Sequence, residues 1–176
     1  MNQEIDLDKL GVDFLEAVAV HAGGDIDRAE EMLRKVIRTE PRLAEPHLEL
    51  AHLLLATERL DDAEGHAREG LEHLSSTGLW MEDLVEEDVR ALAHRMLGEI
   101  LRRRAESDDM VFGDAAVFRA TLEESRLHFS TASKLDPTDT ESGQAAFFLG
   151  FGADGMPTDE VVAGEDGEDE TEKEPD

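Results

Sequence analysis

Cysteine and tyrosine are both absent from the chain, and tryptophan occurs once. Without thiols there are no disulfides, no thiolate metal centres and no cysteine nucleophile, which fits a reducing compartment. Lysine is scarce, present only at Lys9, Lys35, Lys134 and Lys173, whereas arginine is common. Runs of β-branched residues are scarce too. Leu, Ala and Glu dominate instead, and the expected fold class is all-α. No apolar run approaches the roughly 20 residues that a membrane-spanning helix requires. The opening text, MNQEIDLDKLGVDF, has no basic segment followed by a long apolar core, so no secretory signal is expected and the expected location is cytoplasmic. The motifs GxSxG and HExxH and a phosphate-cradling glycine loop are missing, and no enzymatic activity is expected.

What the chain has in excess is negative charge: its 176 residues carry a formal net charge of −27. A field of that sign repels nucleic acid and anionic membranes, which bind through Lys and Arg, and it favours solubility and basic partners. A salt-adapted or GC-rich source would give the same Lys-poor, acid-rich balance; a solvated acidic surface is the simpler reading. From Thr158 the text becomes TDEVVAGEDGEDETEKEPD. A segment with so few apolar residues cannot offset its ordering entropy, so 158–176 is expected to be a disordered acidic tail. Such a tail solubilises, or it binds a basic partner, or it shields a groove on the body. Its DGEDE stretch lacks EF-hand ligand spacing, and calcium binding is not expected. Residues 1–157 are expected to form a single domain with a core of its own.

The body repeats itself. The stretch GGDIDRAEEMLRKVIRTEP begins at Gly23, and TERLDDAEGHAREGLEHLS begins at Thr57. Ala29 and Ala63 stand 34 residues apart, and each has another alanine twelve residues before it, Ala17 and Ala51. A fixed period of this size signals stacked supersecondary units. Each unit reads as two helices with apolar residues recurring at three and four. The first pairs residues 10–22 with 26–39, and the second pairs 44–57 with 60–74. Small alanines suit the places where two helices cross closely. Gly23-Gly24 supplies a permissive turn.

This period and pattern resemble the tetratricopeptide repeat family. A third unit carries that family's small pair as Leu97-Gly98 within ALAHRMLGEILRRR, and it closes with TASKLDP, ending at Pro137. Gly98 and its counterpart Ser125 are 27 residues apart where the first units show twelve, so an inserted loop is expected around ESDDMVFGDAAV. A second insertion, TGLWMEDLVEEDV, contains Trp80 and precedes the third unit. The resemblance implies an α-solenoid of stacked antiparallel helix pairs in a right-handed superhelix. Its units fall at about 10–43, 44–77 and 88–138, with a capping helix at about 139–152. One helical pair cannot bury its apolar face alone; stacked pairs build a continuous core and, with it, a concave surface.

The family resemblance also implies that the first helix of each unit lines that concave surface. The candidate partner-binding residues are then Phe14, Val18 and His21 from the first unit, Glu45, Leu48, His52 and Leu55 from the second, and Arg95, Glu99, Arg102 and Arg103 from the third. The arginines stand out in so acidic a chain. They read as an anchor for an acidic group on a partner, or as partners of the chain's own Glu86, Glu87, Glu99, Asp108 or Asp109. Met110 and Phe112, in the inserted loop, are candidates for a partner or homodimer contact. Some relatives hold a C-terminal carboxylate with Lys and Asn; here Leu48, Glu49 and His52 occupy the corresponding positions, so that mode is not expected. The apolar half of the groove suits an amphipathic helix or a hydrophobic peptide.

Glu30–Arg34 and Glu64–Arg68 have the i,i+4 spacing of surface ion pairs. Along single helices the histidines do not make ligand pairs: His47 and His52 are five apart, and His66 and His73 seven apart. Neither a metal site nor a cofactor is expected. The expected function is a non-catalytic scaffold or adaptor that binds a protein or peptide partner. Two alternatives stand beside it: a small acidic chaperone for a secreted or membrane-associated client, similar to those of bacterial secretion systems, and an accessory subunit that binds a phosphate-bearing ligand through the arginines.

Overall fold

The computed structural model describes residues 6–75 and 85–150. Among them there is no β-strand, and eight helices follow one another. Helices α1 (Leu7–Ala22) and α2 (Ile26–Thr39) pack as a pair, as do α3 (Ala44–Ala56) and α4 (Leu60–Ser75). The third pair is α5 (Glu86–Ala105) with α7 (Ala115–Leu135), separated by the single turn α6 (Asp108–Val111), and α8 (Thr140–Leu149) packs on α7. Links α2–α3 and α4–α5 join the pairs into one stack. The first helices also touch each other, α1 with α3 and α3 with α5, which sets them on the inner side of the curve. This is an all-α solenoid of paired helices.

Composition explains each helix's place. The middle helix α3 has neighbours on nearly every side and is apolar almost all round: Leu48, Leu50, Leu53, Leu54 and Leu55 are all buried. By contrast, α2 buries only the stripe Ala29, Leu33 and Val36 and shows charge elsewhere. The repeating alanines Ala17, Ala29, Ala51 and Ala63 are fully buried at the crossings. The repeat extends to the turns. Asp25 N–H donates to Val20 O and Gly24 N–H to His21 O; one period later Arg59 N–H donates to Leu54 O and Glu58 N–H to Leu55 O. Both turns need a left-handed residue, supplied by Gly24 at φ 86° and Glu58 at φ 59°.

The expected inserted loop is largely helical. The extra residues lengthen the third pair, so that α5 and α7 run 20 and 21 residues against 16 and 14 in the first. The reason is local: Asp114 accepts a hydrogen bond from Ala116 N–H at 2.7 Å and caps the helix-forming run that follows. Trp80 and most of its insertion, the end of the expected capping helix at 151–152, and the tail at 158–176 lie outside the described residues.

Candidate partner-binding groove

Helices α1, α3, α5 and α8 enclose a cavity of about 630 Å³ on the inner side of the stack. Its apolar floor comes from Phe14, Leu48, Leu55, Leu92, Met96 and, from α7, Phe129. Around it stand Glu45, Glu49, His52, Asp88, Glu99 and Glu141, with Arg95 and Arg102. Of the residues singled out from sequence, Phe14, Glu45, Leu48, His52, Leu55, Arg95, Glu99 and Arg102 therefore share one wall-and-floor system.

The others lie elsewhere. Val18 packs half-buried against the core. His21 stands beyond the groove lining, its Nδ1 at 2.6 Å from Glu49 Oε1 and its ring edge-on to His52. Met110 sits in α6, and Phe112, just past it, is 85 % exposed. Sequence reading missed Leu92, Met96 and Phe129, and the α8 residues Ser142 and Ala145. Leu92 and Met96 were visible in principle, because with Arg95 and Glu99 they make an i, i+3, i+4, i+7 stripe on α5. Phe129 and α8 reach the cavity only through packing.

The arginine cluster is mostly neutralised within the protein. Arg102 makes a two-pronged contact with Glu99, Nε to Oε2 at 3.0 Å and Nη2 to Oε1 at 2.8 Å, and also reaches Glu106. Arg103 turns away from the groove, donating to Glu99 and to Glu58 in the α3–α4 turn. Burial alone would raise the Glu99 pKa, but hydrogen bonds from Arg102 and Arg103 outweigh it and hold the carboxyl below its ordinary value. Arg104 pairs with Glu64 and Asp61. Arg95 differs: it is exposed on the groove wall and makes no ion pair or hydrogen bond among the described residues. The expected i,i+4 pairs Glu30–Arg34 and Glu64–Arg68 are both formed, each at 2.9 Å.

Every histidine of the chain touches another, always across helices. His21 meets His52, His47 meets both His66 and His73, and His94 meets His128 with rings 5.1 Å apart. Spacing along one helix was thus the wrong measure for these residues. Burial pushes the His47, His66 and His128 pKa values down. It pushes His94 furthest, to about 4, with His128 and Arg90 adding to the effect.

An α-solenoid of helix pairs with an apolar cavity on its inner face defines a helical-repeat protein. Residues 21–73, which take in the second helix of the first pair and all but the last two residues of the second pair, match the tetratricopeptide repeat family. The same pairing continues on either side of that span, and the fold as a whole is a tetratricopeptide-repeat-like solenoid. No curated protein matches the chain. Tetratricopeptide repeats are in general protein–protein interaction modules and non-catalytic scaffolds. None of the described helices is long and apolar enough to cross a membrane.

Proposed function

We propose that the chain is a non-catalytic adaptor that holds a segment of a protein partner, folded as an amphipathic helix, in the inner groove. The observation that carries this reading is the apolar floor beneath one guanidinium, Arg95, which makes no ion pair among the described residues and whose charge acts on Asp136 without a contact. Apolar side chains of the partner would cover Leu48, Leu92 and Met96. A partner carboxylate would take both prongs of Arg95 and fix the register. The remaining rim is acidic and the net charge is −27, so the flanks of the segment should be basic.

The alternative of a phosphate-bearing ligand rested on three arginines acting together. With Arg102 and Arg103 engaged by Glu99, Glu106 and Glu58, only Arg95 remains for it. A chaperone role would use the same groove and differs in its client, whose aggregation the protein would prevent.

The test is selection from a displayed peptide library on the intact chain, followed by binding measurements on the groove variants Leu92→Asp and Arg95→Glu. Leu92 is exposed, so its replacement leaves the core intact. The expected winners carry an apolar stripe, basic flanks and one central acid, and both variants weaken them. Peptides indifferent to both substitutions would overturn the groove as the binding site.

A further inference from the structure

At one corner of the second helix pair, three lone-pair donors converge. The Nδ1 atoms of His47 on α3 and His66 on α4 are 3.1 Å apart. Glu69 Oε2, one turn along α4, is 3.0 Å from the first and 3.7 Å from the second. The other ring nitrogen of His47, Nε2, lies 3.0 Å from the carbonyl oxygen of Pro41. A carbonyl only accepts, so Nε2 carries a proton and donates it. In the neutral ring Nδ1 is then a bare acceptor, and yet it faces a carboxylate oxygen at hydrogen-bond distance. One proton on His66 cannot satisfy both neighbours. A second proton on His47 would relieve the contact, but the residue is only 3 % exposed and its charged form would be poorly solvated.

We propose that His47 Nδ1, His66 Nδ1 and Glu69 Oε2 bind one divalent cation of the zinc class and thereby tie α3 to α4. A tetrahedral ion about 2.0–2.2 Å from each ligand sets the ligands about 3.3–3.5 Å apart, and the three separations of 3.1, 3.0 and 3.7 Å bracket that spacing. Two imidazoles and one carboxylate suit such an ion, whereas magnesium and calcium take oxygen. The Pro41 carbonyl supplies the outer hydrogen bond that fixes the ligating tautomer. Glu69 is 57 % exposed, which opens the site to solvent and leaves the fourth position to water. Among the charges around His66, Asp62 and Glu30 favour a cation, while Arg34, which opposes one, is bound to Glu30. The grouping of His21, Glu49 and His52 is different: the 2.6 Å contact from His21 to Glu49 is an ordinary donor–acceptor pair with no conflict to resolve.

The experiment titrates Zn²⁺ into the full chain by calorimetry, with excess Mg²⁺ present to occupy exposed carboxylates, and repeats the titration with Co²⁺ read by visible absorption. The expected result is one tight site per chain, the intense bands of tetrahedral Co²⁺, and a rise in Tm that a chelator reverses. Glu69→Gln, at an exposed position that leaves the fold intact, and His66→Gln each abolish these signals; Glu49→Gln retains them. The proposal is overturned by weak multi-site binding alone, by full binding in Glu69→Gln and His66→Gln, or by a loss that follows Glu49→Gln instead.

Discussion

At the scale of the residue, the smallest side chains set the closest approaches. A Cβ added at Gly98 would stand 2.9 Å from three atoms of the Phe129 ring. Next to it the Ser125 hydroxyl, fully buried, donates to the Gly98 carbonyl at 2.7 Å. A ring held between two helices cannot step aside, so Gly98→Ala should cost about 1–3 kcal/mol in urea unfolding through overpacking. Gly24 is constrained by backbone conformation and not by space, since nothing lies within 4 Å of its added Cβ. Gly24→Ala should cost about 1–2 kcal/mol from the left-handed conformation alone. A change below a few tenths would show that the turn relaxes.

The histidine pair of α5 and α7 sets a pH dependence. The His94 pKa falls from its ordinary 6.5 to about 4, so the fold favours the neutral ring. The unfolded chain then binds more protons between those values. This contribution is complete above about pH 6.5 and is lost as pH falls towards 4, by up to about 1.4 kcal/mol per pH unit. His128, whose pKa burial also lowers, acts in the same direction, with Glu124 and Glu64 opposing and Arg68 reinforcing the effect. Tm measured from pH 7.5 down to 5 should fall for the parent chain and fall less for His94→Gln. Equal slopes would remove His94 as the cause.

At the scale of the element, α8 is the weakest wall of the groove. Among its residues only Ser142 is buried, and Phe147 and Phe148 face outwards. Asp139 begins the helix by accepting from the Ser142 amide at 3.0 Å and the Ser142 hydroxyl at 2.6 Å. Asp139→Ala should cost about 1 kcal/mol of helix stability. Amide exchange should then quicken in α8 while α3 stays protected, because α3 is buried on nearly every side, its own leucines included. Uniform acceleration across both helices would mean that α8 unfolds only with the whole. The stripes of the first four helices were legible because their apolar residues recur at helical intervals. The helical character of 105–118 was not, because its acidic and glycine residues read as a loop. Asp114 as a cap acts on the text after it, AAVF, which has ordinary helix propensity once started.

At the scale of the whole molecule, charge dominates. Surface ion pairs such as Arg68–Glu124 and Arg59–Asp62 are exposed and individually weak. The net charge of −27 acts on all of them at once. Salt screens the general repulsion more than it weakens the pairs. Tm should therefore rise from low ionic strength to about 0.5 M NaCl; a fall would mean that the ion-pair network, centred on Glu99, outweighs the repulsion.

The sequence by itself determined the period and the helical class, which follow from spacing within a helix and from one repeat to the next. Part of the inner face, such as Phe14, Leu48, Leu55 and Glu99, came from the family resemblance, whereas Leu92, Met96, Phe129 and the α8 residues joined it through packing. Tertiary structure decided which charges are available and which histidines meet. Arg95, Arg102 and Arg103 look alike in the text, but only the packing of α5 against the α3–α4 turn gives Arg103 to Glu58 and leaves Arg95 on the wall. His94 and His128 are 34 residues apart along the chain, and His47 and His66 are 19. Their ring contacts exist because side chains on neighbouring helices are brought together by the depth of the core between them, a distance that no pattern along a single helix encodes.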